Sequence, residues 1–180
     1  ESLPETSLPI GKARIARTGR DATVVTHGAM LHESLAAASE LAEDGYQLEI
    51  VDLRSIKPLD TDTVLASVAR TGRLLVVSEE WPWGGVSAEV VSRVTTEGFG
   101  LLDAAPMRVN AKDTPVPYHP DLWSVHRPTA STIAAAAITG DRELENRYGR
   151  ERCRSSSTIS RRPVANPPDA PPSALPNVEV

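Results

Sequence analysis

The chain has 180 residues, a formal net charge of −5 and a hydrophobic content of 40%, of which aromatics are only 4%. That length suits one domain with room for a tail, and its core must be built from Ala, Val, Leu and Ile. The acidic balance excludes general nucleic-acid binding, which needs a basic face to displace counterions.

Cys153 is the only cysteine, so an internal disulfide and a multi-thiolate zinc site are excluded, and a reducing compartment fits. No apolar run approaches the roughly 20 residues that span a bilayer, and no membrane partner is expected. Glu1–Thr6 carries neither the basic nor the apolar region of a signal peptide. With no initiator Met, the chain reads as a piece of something longer or a processed product.

Residues 1–11 form a Pro- and Glu-bearing lead-in, read as the remnant of an interdomain linker. In Lys12–Arg17, Ala13 and Ile15 alternate with Arg14 and Ala16, and Thr18–Asp21 is expected to turn this segment back onto the strand Ala22–Thr26. From Met30 to Asp44 the apolar residues Leu31, Leu35, Ala38 and Ala42 recur at helical spacing, with Gly45 as the stop. Leu48–Leu53 is the next strand. Pro58 breaks the chain, Asp60 caps a helix whose inner face is Val64, Leu65 and Val68, and Gly72 ends it.

Leu74–Ser78 is nearly all apolar, as in a strand covered on both faces. After Gly84 and Gly85, Val86, Val90, Val91 and Val94 mark a third helix. Pro106–Val109 is a short strand, and Thr129–Thr139 is an alanine-rich helix. The alternation predicts an α/β domain over 12–140: three layers, with a mostly parallel five-stranded sheet and helices on both faces. Residues 141–180 hold six prolines and seven arginines with scarcely any apolar grouping, and disorder is expected from Ser155 onward. Residues 141–150 extend the last helix by a turn or two.

In open α/β sheets, functional groups gather at the carboxyl ends of strands. His27, Asp52–Arg54 and Glu79–Glu80 stand there. Adjacent carboxylates beside Trp81 and Trp83 suggest acid–base chemistry, but neighbours in extended chain point opposite ways. Glu79 and Glu80 should therefore not converge, and capping the next helix or pairing with Arg54 is the expected role. His27 is a lone turn histidine without a partner to fix its tautomer. His119 and His126 lie in a loop with Trp123 and lack a third zinc ligand. Gly84–Gly85 lacks phosphate-loop spacing and reads as a turn. Trp81 and Trp83 serve either a subunit contact or packing beneath Asp113–Tyr118. No catalytic, cofactor-binding or metal-binding residue is assigned. The candidate subunit-interface or channel residues are His27, Glu80, Trp81, Trp83 and His119.

Leu8–Ala13, Val25–Met30, Val51–Asp60, Thr71–Glu80 with the Gly84–Gly85 turn, and Asp113–Tyr118 together resemble one family. It is the carboxyl-terminal, transketolase-C-like domain of the beta subunit of thiamine diphosphate-dependent 2-oxo acid dehydrogenases, of the pyruvate and branched-chain types. The match covers residues 8–139. Tyr more often stands in place of His27, and the tail beyond Thr139 departs from the family.

The resemblance implies a parent enzyme that oxidatively decarboxylates a 2-oxo acid and passes the acyl group to a lipoyl-bearing acyltransferase. It implies thiamine diphosphate and magnesium in the parent, with neither expected on this chain alone. The implied partners are an alpha subunit, a second beta subunit and the dihydrolipoyl acyltransferase core. The implied location is the cytoplasm of a bacterium, or the mitochondrial matrix or plastid of a eukaryote. The catalytic glutamate belongs to a preceding domain, so the chain by itself is expected to be inactive. A non-catalytic subunit-pairing module is a second reading. The carboxyl-terminal domain of transketolase or deoxyxylulose phosphate synthase is a third.

Overall fold

The computed structural model describes residues 8–148. The first seven residues of the expected linker remnant, and the expected disorder from Ser155 onward, lie outside them.

The described residues form five strands and five helices, which alternate from β2 to β5. They are β1 (Arg14–Arg17), β2 (Ala22–Thr26), α1 (Met30–Glu43), β3 (Leu48–Asp52), α2 (Thr61–Thr71), β4 (Leu74–Val77), α3 (Val86–Gly98), β5 (Met107–Val109), α4 (Pro120–His126) and α5 (Ala130–Tyr148). A short 3-10 turn, Phe99–Leu101, follows α3. The strands form one sheet in the order β1-β3-β2-β4-β5. All neighbours are parallel except β1, which runs antiparallel to β3 at one edge.

Alternation along each strand feeds two cores. Val24, Ile50, Leu75 and Val77 pack with Leu31, Ala38, Leu41, Ile133 and Ala137 of α1 and α5. Val25, Val51, Leu74 and Val76 pack with Val64, Val68, Val90 and Val94 of α2 and α3. This is the expected three-layer arrangement. The all-apolar sequence of β4 follows from it, because both of its faces are covered.

Two expectations are corrected. β1 does not fold back onto β2; it pairs with β3, Arg14 opposite Asp52. The connection passes over the start of β3, where the Arg20 and Asp21 amides both donate to the Gln47 carbonyl. Gly19 permits that crossing, since any Cβ there would strike the Leu48–Glu49 backbone. The loop expected around His119 and His126 contains α4. Pro120 starts it at a position needing no amide donor, and the His119 ring accepts the Asp121 amide at 3.3 Å. The last helix runs through Tyr148, eight residues past Gly140, in line with the expected extension.

Polar groups also cross the interior. The Thr23 hydroxyl lies 2.7 Å from the hydroxyls of both Ser67 and Thr71. The buried Glu49 carboxylate accepts from Ser67 and pairs with Arg70. A buried carboxylate is tolerable only with such partners. This network fixes the register of α2 on the sheet.

Candidate functional site

The strand order reverses direction between β2 and β4, because β2 leads outward to β3 whereas β4 leads outward to β5. Loops diverge at such a point and leave a crevice beyond the carboxyl ends of the strands. His27 follows β2 and Ser78–Glu80 follows β4, so both stand at that point of the sheet.

Glu80 is the best-defined polar group there. Its Oε1 accepts the Ser87 amide at 2.6 Å, which caps the start of α3. Its own amide donates to the Ser78 hydroxyl at 3.2 Å. Gly85 makes the arrangement possible, because a Cβ at that position would overlap the Glu80 carboxylate. Burial raises the Glu80 pKa. Hydrogen bonds from the Ser87 and Val86 amides and the Ser87 and Ser78 hydroxyls outweigh it and hold the group below the usual glutamate range. Glu80 is thus an ionised helix cap, as the sequence suggested, and Glu79 points to solvent. Arg54 pairs with neither glutamate; it turns back onto Asp52.

His27 is half-buried, and its Nε2 has no hydrogen-bond partner among the described residues. Among the described residues no carboxylate orients it for acid–base work. His119 and His126 do not converge either. His119 caps α4 at the surface. His126 is buried, stacks on Trp123 with centroids 5.9 Å apart, and places Nδ1 3.2 Å from the Thr114 hydroxyl. Among the described residues no three His, Cys, Asp or Glu side chains group as a metal site. Among the described residues, the side chains do not compose a magnesium–diphosphate cradle.

The two tryptophans differ. Trp81 is 49% exposed, and its indole N–H donates to the Thr114 carbonyl at 3.1 Å, so it braces the Asp113–Tyr118 loop while showing a face to solvent. Trp83 is 81% exposed. Val116, Tyr118, Leu122 and Val125 are exposed as well. All six follow the carboxyl ends of the adjacent strands β4 and β5. The segments are tied together: Arg108 donates to the Pro82 carbonyl at 2.8 Å, Ala111 to the Glu80 carbonyl at 3.0 Å, and Lys112 to the His126 carbonyl at 3.0 Å. The arrangement is a braced apolar surface with a capped helix behind it.

Two residues that tie the neighbouring elements together were not marked by the sequence. Glu33 receives Arg127 on Oε1 at 3.2 Å and the Ala130 amide on Oε2 at 3.0 Å, and so pins the corner between α4 and α5. Asn110 donates to the Ser87 hydroxyl at 2.9 Å. Each partner lies more than twenty residues away, so no local pattern marks them. Among the described residues no helix is long and apolar enough to cross a membrane.

Comparison with known proteins gives a consistent picture. The family described as "Transketolase, C-terminal domain" matches residues 11–133. The beta subunit of acetoin:2,6-dichlorophenolindophenol oxidoreductase from Cupriavidus necator is 46% identical over 131 residues, 73% of this chain and 39% of the relative. The pyruvate dehydrogenase E1 beta subunit of Rhizobium meliloti is 42% identical, over 74% of this chain and 29% of the relative. A split-gene transketolase, solved as an inactive beta4 tetramer, superposes with a TM-score of 0.68 and 25% identity over 77% of this chain and 45% of that one. The chain thus spans less than half the length of each of these.

Proposed function

The chain belongs to the transketolase C-terminal domain family, and from that premise we propose that it is the assembly domain of a 2-oxo acid dehydrogenase beta subunit. Its relatives among E1 beta subunits support the class. The observation that carries the assembly role is the braced apolar surface of Trp81, Trp83, Val116, Tyr118, Leu122 and Val125. Exposed aromatics on a rigid support have the character of an interface centre.

The parent reaction is the oxidative decarboxylation of a 2-oxo acid with acyl transfer to the lipoyl group of an acyltransferase. Thiamine diphosphate with magnesium supplies the carbanion chemistry. In this proposal that cofactor is held outside the domain, and the domain positions subunits and borders the approach to the site. Its partners are an alpha subunit, a second beta subunit and the acyltransferase core.

The 180-residue chain alone is then inactive. The split-gene transketolase of similar fold is itself inactive as a beta4 tetramer. The test is a decarboxylation assay of the purified chain with thiamine diphosphate, magnesium and a cognate alpha subunit, alongside a pull-down. The expected result is binding of the alpha subunit without turnover. Turnover by this mixture would overturn the reading, and so would failure to bind.

A further inference from the structure

We propose that Arg14 and Arg54 form a two-guanidinium receptor for a carboxylate, supplied by a free organic acid or by an acidic side chain of a partner protein. The site lies at the carboxyl end of β3, where Asp52 is 2% exposed. Arg14, its cross-strand neighbour on β1, places Nη2 3.7 Å from Asp52 Oδ2. Arg54 places Nη1 3.6 Å from the same oxygen.

Three features make this more than a surface ion pair. The first is stoichiometry: two guanidinium groups face one buried carboxylate and leave a positive charge uncompensated. The second is unused hydrogen-bonding capacity. Each guanidinium carries five N–H donors. Among the described residues neither side chain donates a hydrogen bond, and both pairs to Asp52 are too long to count as one. Arg14 and Arg54 have 54% and 58% of their side-chain surface in solvent, so those donors face outward.

The third is backbone conformation. Among the described residues Arg54 is the non-glycine residue with positive φ, at 57°. An L-residue adopts that region at a cost, and such costs gather at functional positions. Here the left-handed turn, closed by the Arg54 amide on Asp52 Oδ1 at 3.3 Å, folds the side chain back beside Arg14 instead of leading it away. Asp52 serves as the internal anchor that holds two like charges together. A second carboxylate arriving from solvent could take a fork from each arginine, the geometry in which guanidinium is strongest.

The net charge of the whole chain is −5, so attraction of an anion here is a local property and not a consequence of a basic protein. The site is independent of the apolar surface after β4 and β5, and it can fail without touching the assembly reading.

The test follows the arginine side-chain N–H resonances of the full ¹⁵N-labelled chain by NMR, titrated with succinate or with a hexaglutamate peptide at chloride-matched ionic strength. Saturable shifts of two arginine resonances are expected. They should vanish in Arg54→Gln and weaken roughly tenfold in Arg14→Lys, which keeps the charge and loses the fork. Tighter binding of succinate identifies a free acid as the source, and tighter binding of the peptide identifies a protein side chain. Arg17→Gln should leave the titration unchanged. Arg14→Lys keeps the test valid if Arg54→Gln fails to fold. Absence of saturable shifts with both probes, or shifts that survive in a folded Arg54→Gln, would overturn the proposal.

Discussion

Glu80 and Asp60 keep their charge through hydrogen bonds from the chain they cap. Burial raises the Asp60 pKa, and the Ala13 amide, the Thr63 hydroxyl and amide, and the charge of Lys12 together bring it below the usual aspartate range. Its Oδ2 joins α2 to the segment before β1, accepting the Ala13 amide at 2.9 Å and the Thr63 hydroxyl at 2.8 Å. A carboxyl whose pKa is lowered by folding contributes stability that is complete above its unfolded pKa. That contribution is lost as pH falls through the lower, folded value. Asp60→Asn and Glu80→Gln should therefore each cost about 1–2 kcal/mol at neutral pH. They should also flatten the fall in stability below about pH 5. Urea midpoints measured from pH 7 to pH 3 check this; a variant with the same acid slope as the parent would show that the cap carries no charge-dependent stability.

At the scale of elements, the helices divide into two kinds. α2 and α3 announce themselves locally, by a capping aspartate and by a valine stripe after a glycine turn. The start of α5 is set from a distance, by Glu33 of α1. Removing that carboxylate leaves Arg127 without its anion and the Ala130 amide without its acceptor. Glu33→Ala should cost about 1–3 kcal/mol. Faster hydrogen exchange should appear first in the initial turn of α5 and in α4, before the strands loosen. Uniform acceleration across the sheet instead would mean that Glu33 acts through global stability and not through this corner.

For the whole molecule, core and surface make separable contributions. Ile133 is fully buried between α5 and the sheet, and Ile133→Ala should cost about 2–5 kcal/mol. Trp83→Ser removes a side chain that stands in solvent. It should change stability by no more than about 0.5 kcal/mol while weakening capture of the alpha subunit. Chemical denaturation beside a pull-down separates the two effects. A Trp83 variant that unfolds easily would assign this ring to packing and remove it from the interface.

The sequence by itself determined the layer order, the parallel character of the sheet and nearly every helix, because apolar period, capping residues and glycine stops are local signals. The motifs spread over residues 8–139 also carried the family. It further determined that Glu79 and Glu80 diverge, since adjacent positions on extended chain must. Only the tertiary structure decided that β1 lies beside β3, because register at an edge depends on what the strand meets in space and not on its own pattern. The same holds for α4, whose seven residues are too few to show a period. It holds as well for the pairing of Arg54 with Asp52, for Glu33 at the foot of α5, and for the six apolar side chains left facing water at one end of the sheet. Those contacts join residues far apart in the chain, and exposure is a property of the packed molecule that no local spacing encodes.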